Sequence, residues 1–278
     1  MPLHNNDVDF GFEKIAASVK TERISRLFDR VSSKYDLMND LMSFGIHRLW
    51  KTWFVQSLPL HHEGTYLDVA GGTGDIAAAI DARLQKYGFM GTHLVCDLTP
   101  AMMQEGQQKA PHLSWVCGNA EELPLNDNSV DVYTIAFGLR NVTHKTQALK
   151  EAYRVLRPGG TFACLEFSHP IEPLRKAYDF YSFEIIPCLG EWVANDRASY
   201  QYLSESIRTF PTQEALASLM TEAGFRHVTF ESYTGGVVAV HRGMKAVRRR
   251  GDPATPKASP WREPLWRDHA EAFGVGGV

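Results

Sequence analysis

The chain has 278 residues, 44% of them hydrophobic and 22% charged, with a formal net charge of −3. This is the composition of a folded globular protein long enough for one large α/β domain with appended elements, and its near-neutral balance excludes the basic footprint of a nucleic-acid binder. No run reaches the ~18 apolar residues of a membrane span. The four cysteines, Cys96, Cys117, Cys164 and Cys188, lack any C-x-x-C spacing, and three fall inside expected strands as small buried hydrophobes, which points to a reducing compartment and to no metal site.

In chain order, the start Met1-Pro2-Leu3-His4-Asn5-Asn6-Asp7 has neither a charged nor an apolar leader region, and Asp7, Asp9 and Glu13 speak against a transit peptide. A cytoplasmic protein is expected. Between Tyr35 and Trp50, Leu37, Met38, Leu41 and Met42 recur at helical spacing, so a helical cover over residues 1–55 is expected ahead of a main domain over 56–245. Tyr35 and Trp50 would add aromatic surface. His47 is a candidate proton acceptor, with a structural cap as its alternative.

The main domain opens on Leu67-Asp68-Val69-Ala70-Gly71-Gly72-Thr73-Gly74-Asp75-Ile76-Ala77, an apolar strand breaking into a glycine-rich turn and then a helix. Such a turn lets backbone N–H groups approach a ligand where a helix N-terminus also offers free donors. Read from Gly72 to Ala77 it fits the G-x-G-x-x-A variant of the dinucleotide fingerprint. Asp68 and Asp75, however, bracket the turn with carboxylates that repel a diphosphate and suit a cation. S-adenosylmethionine, with its ammonium and sulfonium and no phosphate, is the complementary cofactor, so Asp68, Gly72, Thr73 and Gly74 are expected to bind it. The alternative for Asp75 is a partner of the helix dipole. Asp97 ends the next strand about 20 residues on, where an acid binds ribose hydroxyls. A third strand leaves Asn119 and Ala120 at its C-terminal end, the place for an adenine edge; Asn119 also reads as a turn former.

Alternation continues with a strand over 129–137, a helix over 144–156 stopped by Arg157-Pro158-Gly159-Gly160, a strand over 161–167 ending near Glu166, and a helix over 212–223. Two last runs, 228–233 and 236–241, flank a Thr-Gly-Gly turn and read as an antiparallel hairpin at one sheet edge. The expected fold is therefore α/β: a Rossmann-like, mostly parallel sheet with one antiparallel edge strand, the architecture of class I S-adenosylmethionine-dependent methyltransferases. Residues 170–211, dense in aromatics from Tyr178 to Trp192, read as an inserted lid. Residues 246–278 carry Arg248-Arg249-Arg250 and prolines and read as a basic disordered tail, a candidate for peripheral membrane contact.

Two segments carry a closer resemblance. Tyr35-Asp36-Leu37-Met38-Asn39 followed by Ser43, His47 and Trp50 resembles the first signature of the ubiquinone/menaquinone biosynthesis C-methyltransferase family. Arg154-Val155-Leu156-Arg157-Pro158-Gly159-Gly160-Thr161-Phe162-Ala163-Cys164-Leu165-Glu166-Phe167-Ser168 resembles the second, with Arg157 where the family usually has lysine. The resemblance runs from about residue 10 to about residue 245. It implies transfer of a methyl group from S-adenosylmethionine to a ring carbon of a polyprenylated quinol, either demethylmenaquinol or 2-methoxy-6-polyprenyl-1,4-benzoquinol. It further implies that Arg140 and Asn141, just after the fourth strand, belong to the substrate site with Tyr35. Arg140 would stabilise a phenolate or orient a base-acting water; Asn141 would fix a quinol hydroxyl or cap a helix. A homodimer or a quinone-biosynthesis complex, and contact with the inner face of the membrane, are the expected associations. The competing classes are a nicotinamide oxidoreductase and a subunit that binds cofactor without turnover.

Overall fold

A computed structural model describes residues 7–31, 40, 43, 45–172 and 174–247. The chain opens with an antiparallel hairpin, β1 (Asp7–Phe10) and β2 (Glu13–Ala16), leading into α1 (Ala17–Val31) and then α2 (His47–Ser57). The N-terminal cover is thus part hairpin and part helix. Local propensity does not announce the hairpin, which is held from outside: Phe10 stacks on Tyr202 at 4.3 Å, and the Phe12 N–H donates to the Glu205 carboxylate at 3.1 Å. Tyr35, Asp36, Leu37, Met38, Asn39, Leu41 and Met42 lie outside the described residues, as does the tail from residue 248 onward.

The main sheet contains β3 (Gly64–Val69), β4 (Gly91–Asp97), β5 (Ser114–Cys117), β6 (Val130–Ala136), β7 (Leu156–Phe167), β8 (Arg226–Tyr233) and β9 (Val238–Met244), in the spatial order β5-β4-β3-β6-β7-β9-β8. The first five run parallel; β9 pairs antiparallel with both β7 and β8. The hairpin at one edge is as expected, with its antiparallel strand seated between β7 and the outermost β8. Strand order reverses between β3 and β6, and in such sheets ligands bind in the crevice outside the C-terminal ends at the reversal.

Helices α3 (Asp75–Lys86), α4 (Pro100–Lys109), α5 (Lys145–Val155) and α9 (Gln213–Glu222) cover the sheet faces. The period-2 alternation of the strands sorts the core. Tyr66, Val132, Leu165 and Phe167 face one layer with α2 and α3, whereas Leu67, Tyr133, Phe162 and Cys164 face the other with α5 and α9. At the end of α2, the Arg83 guanidinium donates to the Val55 and Leu58 carbonyls at 2.6 and 2.8 Å, satisfying acceptors that a helix C-terminus leaves open. β7 begins at Leu156, five residues earlier than the sequence indicates. Gly159 and Gly160 exchange backbone hydrogen bonds with Lys245 at 3.0 and 2.9 Å, so the turn expected to stop a helix is drawn into the sheet by a distant partner.

The connection over 170–211 is helical. α6 (Leu174–Phe180) runs through a π-helical turn at Tyr181–Ile185 into α7 (Ile186–Ala194), and α8 (Arg197–Arg208) follows. Asn195 ends α7 in the left-handed region, and Asp196 caps α8 by accepting from the Ser199 N–H at 3.0 Å.

α2 is the pillar of this arrangement, and Phe54 on it is fully buried. Phe54→Ala should lower unfolding free energy by about 3–5 kcal/mol through lost burial and a residual cavity, read by urea denaturation followed by circular dichroism.

Candidate active site

Three parallel strands bring a carboxylate to their C-terminal ends, and each is answered differently. Asp97, last in β4, accepts from the Gly72 N–H through Oδ2 and from the Thr99 N–H through Oδ1, both at 2.8 Å. Burial raises its pKa and these amides pull it back. Glu166 in β7 accepts from the Arg140 guanidinium at 2.8 Å and from the Arg140 and Phe167 backbone N–H groups at 3.1 and 2.9 Å. Asp68 in β3 accepts from the Thr134 hydroxyl at 2.8 Å through Oδ1. Its Oδ2 is buried with no hydrogen-bond partner among the described residues. Burial pushes Asp68 up to about 7, against the Thr134 hydrogen bond.

The loop after β3 is built from left-handed residues: Ala70 (φ 51°), Gly72 (φ 56°) and Gly74 (φ 81°). Ala70, with a Cβ, adopts this region under strain. Phe137 (φ 57°) does the same at the end of β6, so both strands flanking the crevice end in strained residues. Gly74 is also excluded from carrying a side chain by contact, since a Cβ there would stand 2.7 Å from the Trp115 ring. Beyond the loop, Asp75 opens α3. Burial would raise its pKa, but Lys51, 2.8 Å away from α2, outweighs that and leaves it lowered.

Around this loop lie two spaces that share Ala70 as a lining residue. The main cleft, about 770 Å³ including its mouth, is lined by Gly72, Asp97, Asn119, Ala120, Phe137 and Asn141, and α1 contributes Thr21, Ile24, Ser25 and Phe28 as its cover. Asn119 both lines the cleft and forms a turn, its Oδ1 accepting from the Glu121 N–H at 3.0 Å. An annex lined by Lys51, Asp68, Gly71, Thr73 and Asp75 adjoins the cleft through Ala70. Gly74 lines neither and serves to turn the chain.

The 3-10 turn Leu139–Asn141 separates the cleft from a third, polar cavity of about 530 Å³ beneath the N-terminal hairpin. Asn141 faces the cleft and Arg140 the cavity, so the sequence-adjacent pair lines different chambers. The Asn141 Oδ1 accepts from the Tyr202 hydroxyl at 3.2 Å. Arg140 is held by Glu166 and by the Phe137 carbonyl at 2.5 Å, and its guanidinium lies 5.4 Å from the Phe167 ring centroid. Its Nε is buried and without a partner among the described residues. Lys20 and Lys145 share the cavity, each donating to the Val142 carbonyl; burial first, and Lys145 second, lower Lys20 to about 8.

A model of the ubiE/COQ5 methyltransferase family matches residues 16–245. The chain belongs to that family. It is 48% identical over 249 residues to the ubiquinone/menaquinone biosynthesis C-methyltransferase UbiE of Caulobacter vibrioides, a match covering 87% of this chain and 99% of the relative. It is 47% identical over 264 residues to the mitochondrial 2-methoxy-6-polyprenyl-1,4-benzoquinol methylase of Oryza sativa subsp. japonica, covering 87% and 90%. Among solved structures, a SAM-dependent methyltransferase of Thermotoga maritima shares the fold, with a TM-score of 0.57 at 22% identity over 79% of this chain and 98% of that one. The ubiE/COQ5 protein is an S-adenosylmethionine-dependent methyltransferase, which sets aside the nicotinamide and non-catalytic readings. The donor set fits that cofactor: an orphaned buried carboxylate oxygen suits a cation.

In this ubiE/COQ5 chain His47 proves to be bound locally, its Nδ1 2.9 Å from the Ser43 hydroxyl at the start of α2. Sequence reasoning missed the α1 lining, Lys51 and Tyr202. Their contacts reach across tens of residues; the apolar stripe of α1 was the one local signal for any of them.

Two outcomes are expected. Glu166→Gln leaves the Arg140 charge buried without its partner and should cost about 3–5 kcal/mol in denaturant unfolding. Asp68, with a folded pKa above its unfolded value, contributes stability below the ordinary carboxylate pKa and loses it as pH rises through about 7. A cationic ligand binds the ionised form, so between about pH 5.5 and about pH 7.5 S-adenosylmethionine affinity should rise while the ligand-free melting temperature falls. Asp68→Asn should flatten both trends in calorimetry.

Proposed function

We propose that the protein C-methylates a polyprenylated 1,4-quinol, demethylmenaquinol or 2-methoxy-6-polyprenyl-1,4-benzoquinol, within menaquinone or ubiquinone biosynthesis. The observation that carries this reading is the buried Arg140 held against Glu166, one residue from Asn141 in the cofactor cleft. Family membership supplies the reaction class, and the relatives' names supply the benzoquinol acceptor and the menaquinone route, on which demethylmenaquinol is the acceptor the sequence resemblance implies.

When bound, S-adenosylmethionine supplies an electrophilic sulfonium methyl. The chain must then raise the nucleophilicity of a ring carbon and keep water out. Asp97, Asn119 and Ala120 line the place for the adenosine half, with Gly72 at its loop, while Asp68 and Thr73 line the annex for the amino-acid end. Asn141, its carbonyl oxygen taken by Tyr202, keeps an NH₂ donor for a quinol hydroxyl. Arg140, whose guanidinium Glu166 holds on the polar-cavity side of the 3-10 turn, contributes its positive field across that turn toward negative charge on the phenolate oxygen, or orients in that cavity a water that takes the hydroxyl proton. Trp50, Phe137 and Phe167 form an aromatic cluster beside it, with ring centroids 4.9–6.5 Å apart, a low-dielectric wall that strengthens that electrostatic effect. Tyr35 is proposed to complete the acceptor side.

The lid presents Ile171, Phe180 and Trp192 to solvent, Trp192 at 86% exposure. We read these exposed apolar side chains as the part that meets the bilayer in which a prenylated acceptor resides. No helix among the described residues is long and apolar enough to cross a membrane.

The test is mass spectrometry after incubation with methyl-labelled S-adenosylmethionine and each quinol in turn. Label on a ring carbon is the expected result; cofactor binding with no label on either quinol would refute the acceptor. The paired variant Arg140→Gln with Glu166→Gln removes both buried charges together, and should retain cofactor affinity while label transfer falls about 10²–10³-fold. Unreduced transfer would remove Arg140 from the mechanism.

A further inference from the structure

The annex beside the glycine loop has a charge problem that the cofactor's own chemistry sharpens. Asp68 and Asp75 line it, Asp68 fully buried, and Asp97 stands on the other side of the loop. This suits an ammonium and a sulfonium. The amino-acid end of S-adenosylmethionine also carries a carboxylate, and among acids alone that group would be repelled. Of the residues lining the annex, the cation is Lys51. Its side chain is only 16% exposed, and the Asp75 contact at 2.8 Å holds its ammonium at the pocket wall. Lys51 reaches in from α2, outside the parallel-sheet domain, one residue after Trp50. The Trp50 indole donates to the Thr234 hydroxyl at 2.8 Å and packs on Phe137 and Phe167.

We propose that Lys51 is the reader of the cofactor's α-carboxylate, and that it makes the enzyme select sulfonium nucleosides bearing an intact amino acid over decarboxylated ones. This rests on the cofactor assignment and is independent of the acceptor. Asp68 takes the ammonium and Lys51 the carboxylate, so the zwitterion is matched end to end by two oppositely charged side chains from different elements. Because consecutive residues of α2 touch the annex and the aromatic wall, a filled annex also fixes the helix that closes the acceptor side.

The experiment is isothermal titration of the full chain with S-adenosylmethionine and with decarboxylated S-adenosylmethionine, which keeps the sulfonium and ammonium. The wild-type protein should prefer the former by roughly 10- to 100-fold, the range of one charge-assisted hydrogen-bonded pair. Lys51→Met should bring that ratio close to one, with affinity for the decarboxylated compound essentially unchanged. Lys51→Arg should restore the preference, and Asp75→Asn should keep it, separating carboxylate recognition from the ion pair within the protein. Should Lys51→Met fail to fold, Lys51→Gln is read in the same way. Equal loss of both ligands in the lysine variants, or an unaltered ratio, would overturn the proposal. Binding of neither compound by the wild-type chain would overturn the cofactor assignment instead.

Discussion

A carboxylate at the buried end of a parallel strand has lost its water and must be answered from within the protein or by something that arrives. This chain meets that demand at three strand ends, and the differences between the answers organise the site. Asp97 is answered by backbone amides of the glycine loop and of the turn into α4, so the acid that faces the cleft also fixes the loop beside it. Glu166 is answered by a side chain, and in binding Arg140 through both its guanidinium and its backbone N–H it sets the 3-10 turn between the cleft and the polar cavity. Asp68 is answered on one oxygen only. A protein whose binding partner is a cation leaves such an oxygen open, because the ligand supplies what folding does not.

The surrounding elements follow from where those ends lie. The crevice opens at the strand reversal between β3 and β6, and the sheet alone cannot roof it. α1 roofs the cleft and α2 reaches the annex through Lys51, whereas the three-helix insertion after β7 covers the neighbouring polar cavity with Tyr202 and Ser206. The two covers are joined to each other by Phe10 on Tyr202 and Phe12 on Phe183. The reaction proposed for this site asks for positioning and electrostatics, which the aromatic cluster and the buried charge pair can supply without a covalent intermediate.

Much of this was legible from local pattern. The glycine turn bracketed by Asp68 and Asp75, Asp97 at the end of the next strand, and the closing hairpin each need only neighbours within a few tens of residues and a known periodicity. What escaped needed distant partners. The β1–β2 hairpin depends on aromatic contacts to the lid almost two hundred residues away, and the early start of β7 depends on Lys245, just past the end of β9. Arg140 and Asn141 were legible as a pair, yet the turn that carries them directs one into the cleft and the other into a separate polar cavity, a distinction of backbone geometry that adjacency in sequence conceals. Asn119 forms the turn and lines the cleft as well.

Ala70 and Phe137 sit in left-handed backbone at the ends of the two strands that flank the crevice. Residues with a Cβ hold that conformation at a cost on the order of 1–3 kcal/mol each, sustained only because the neighbouring structure over-determines it. Stabilising changes open to this chain therefore include positions at the edge of the cleft. A search for thermal robustness that scored folding alone would drift toward relaxed backbone at residue 70, loosening the loop that Asp97 holds, and would recover a tougher protein with a less prepared cleft.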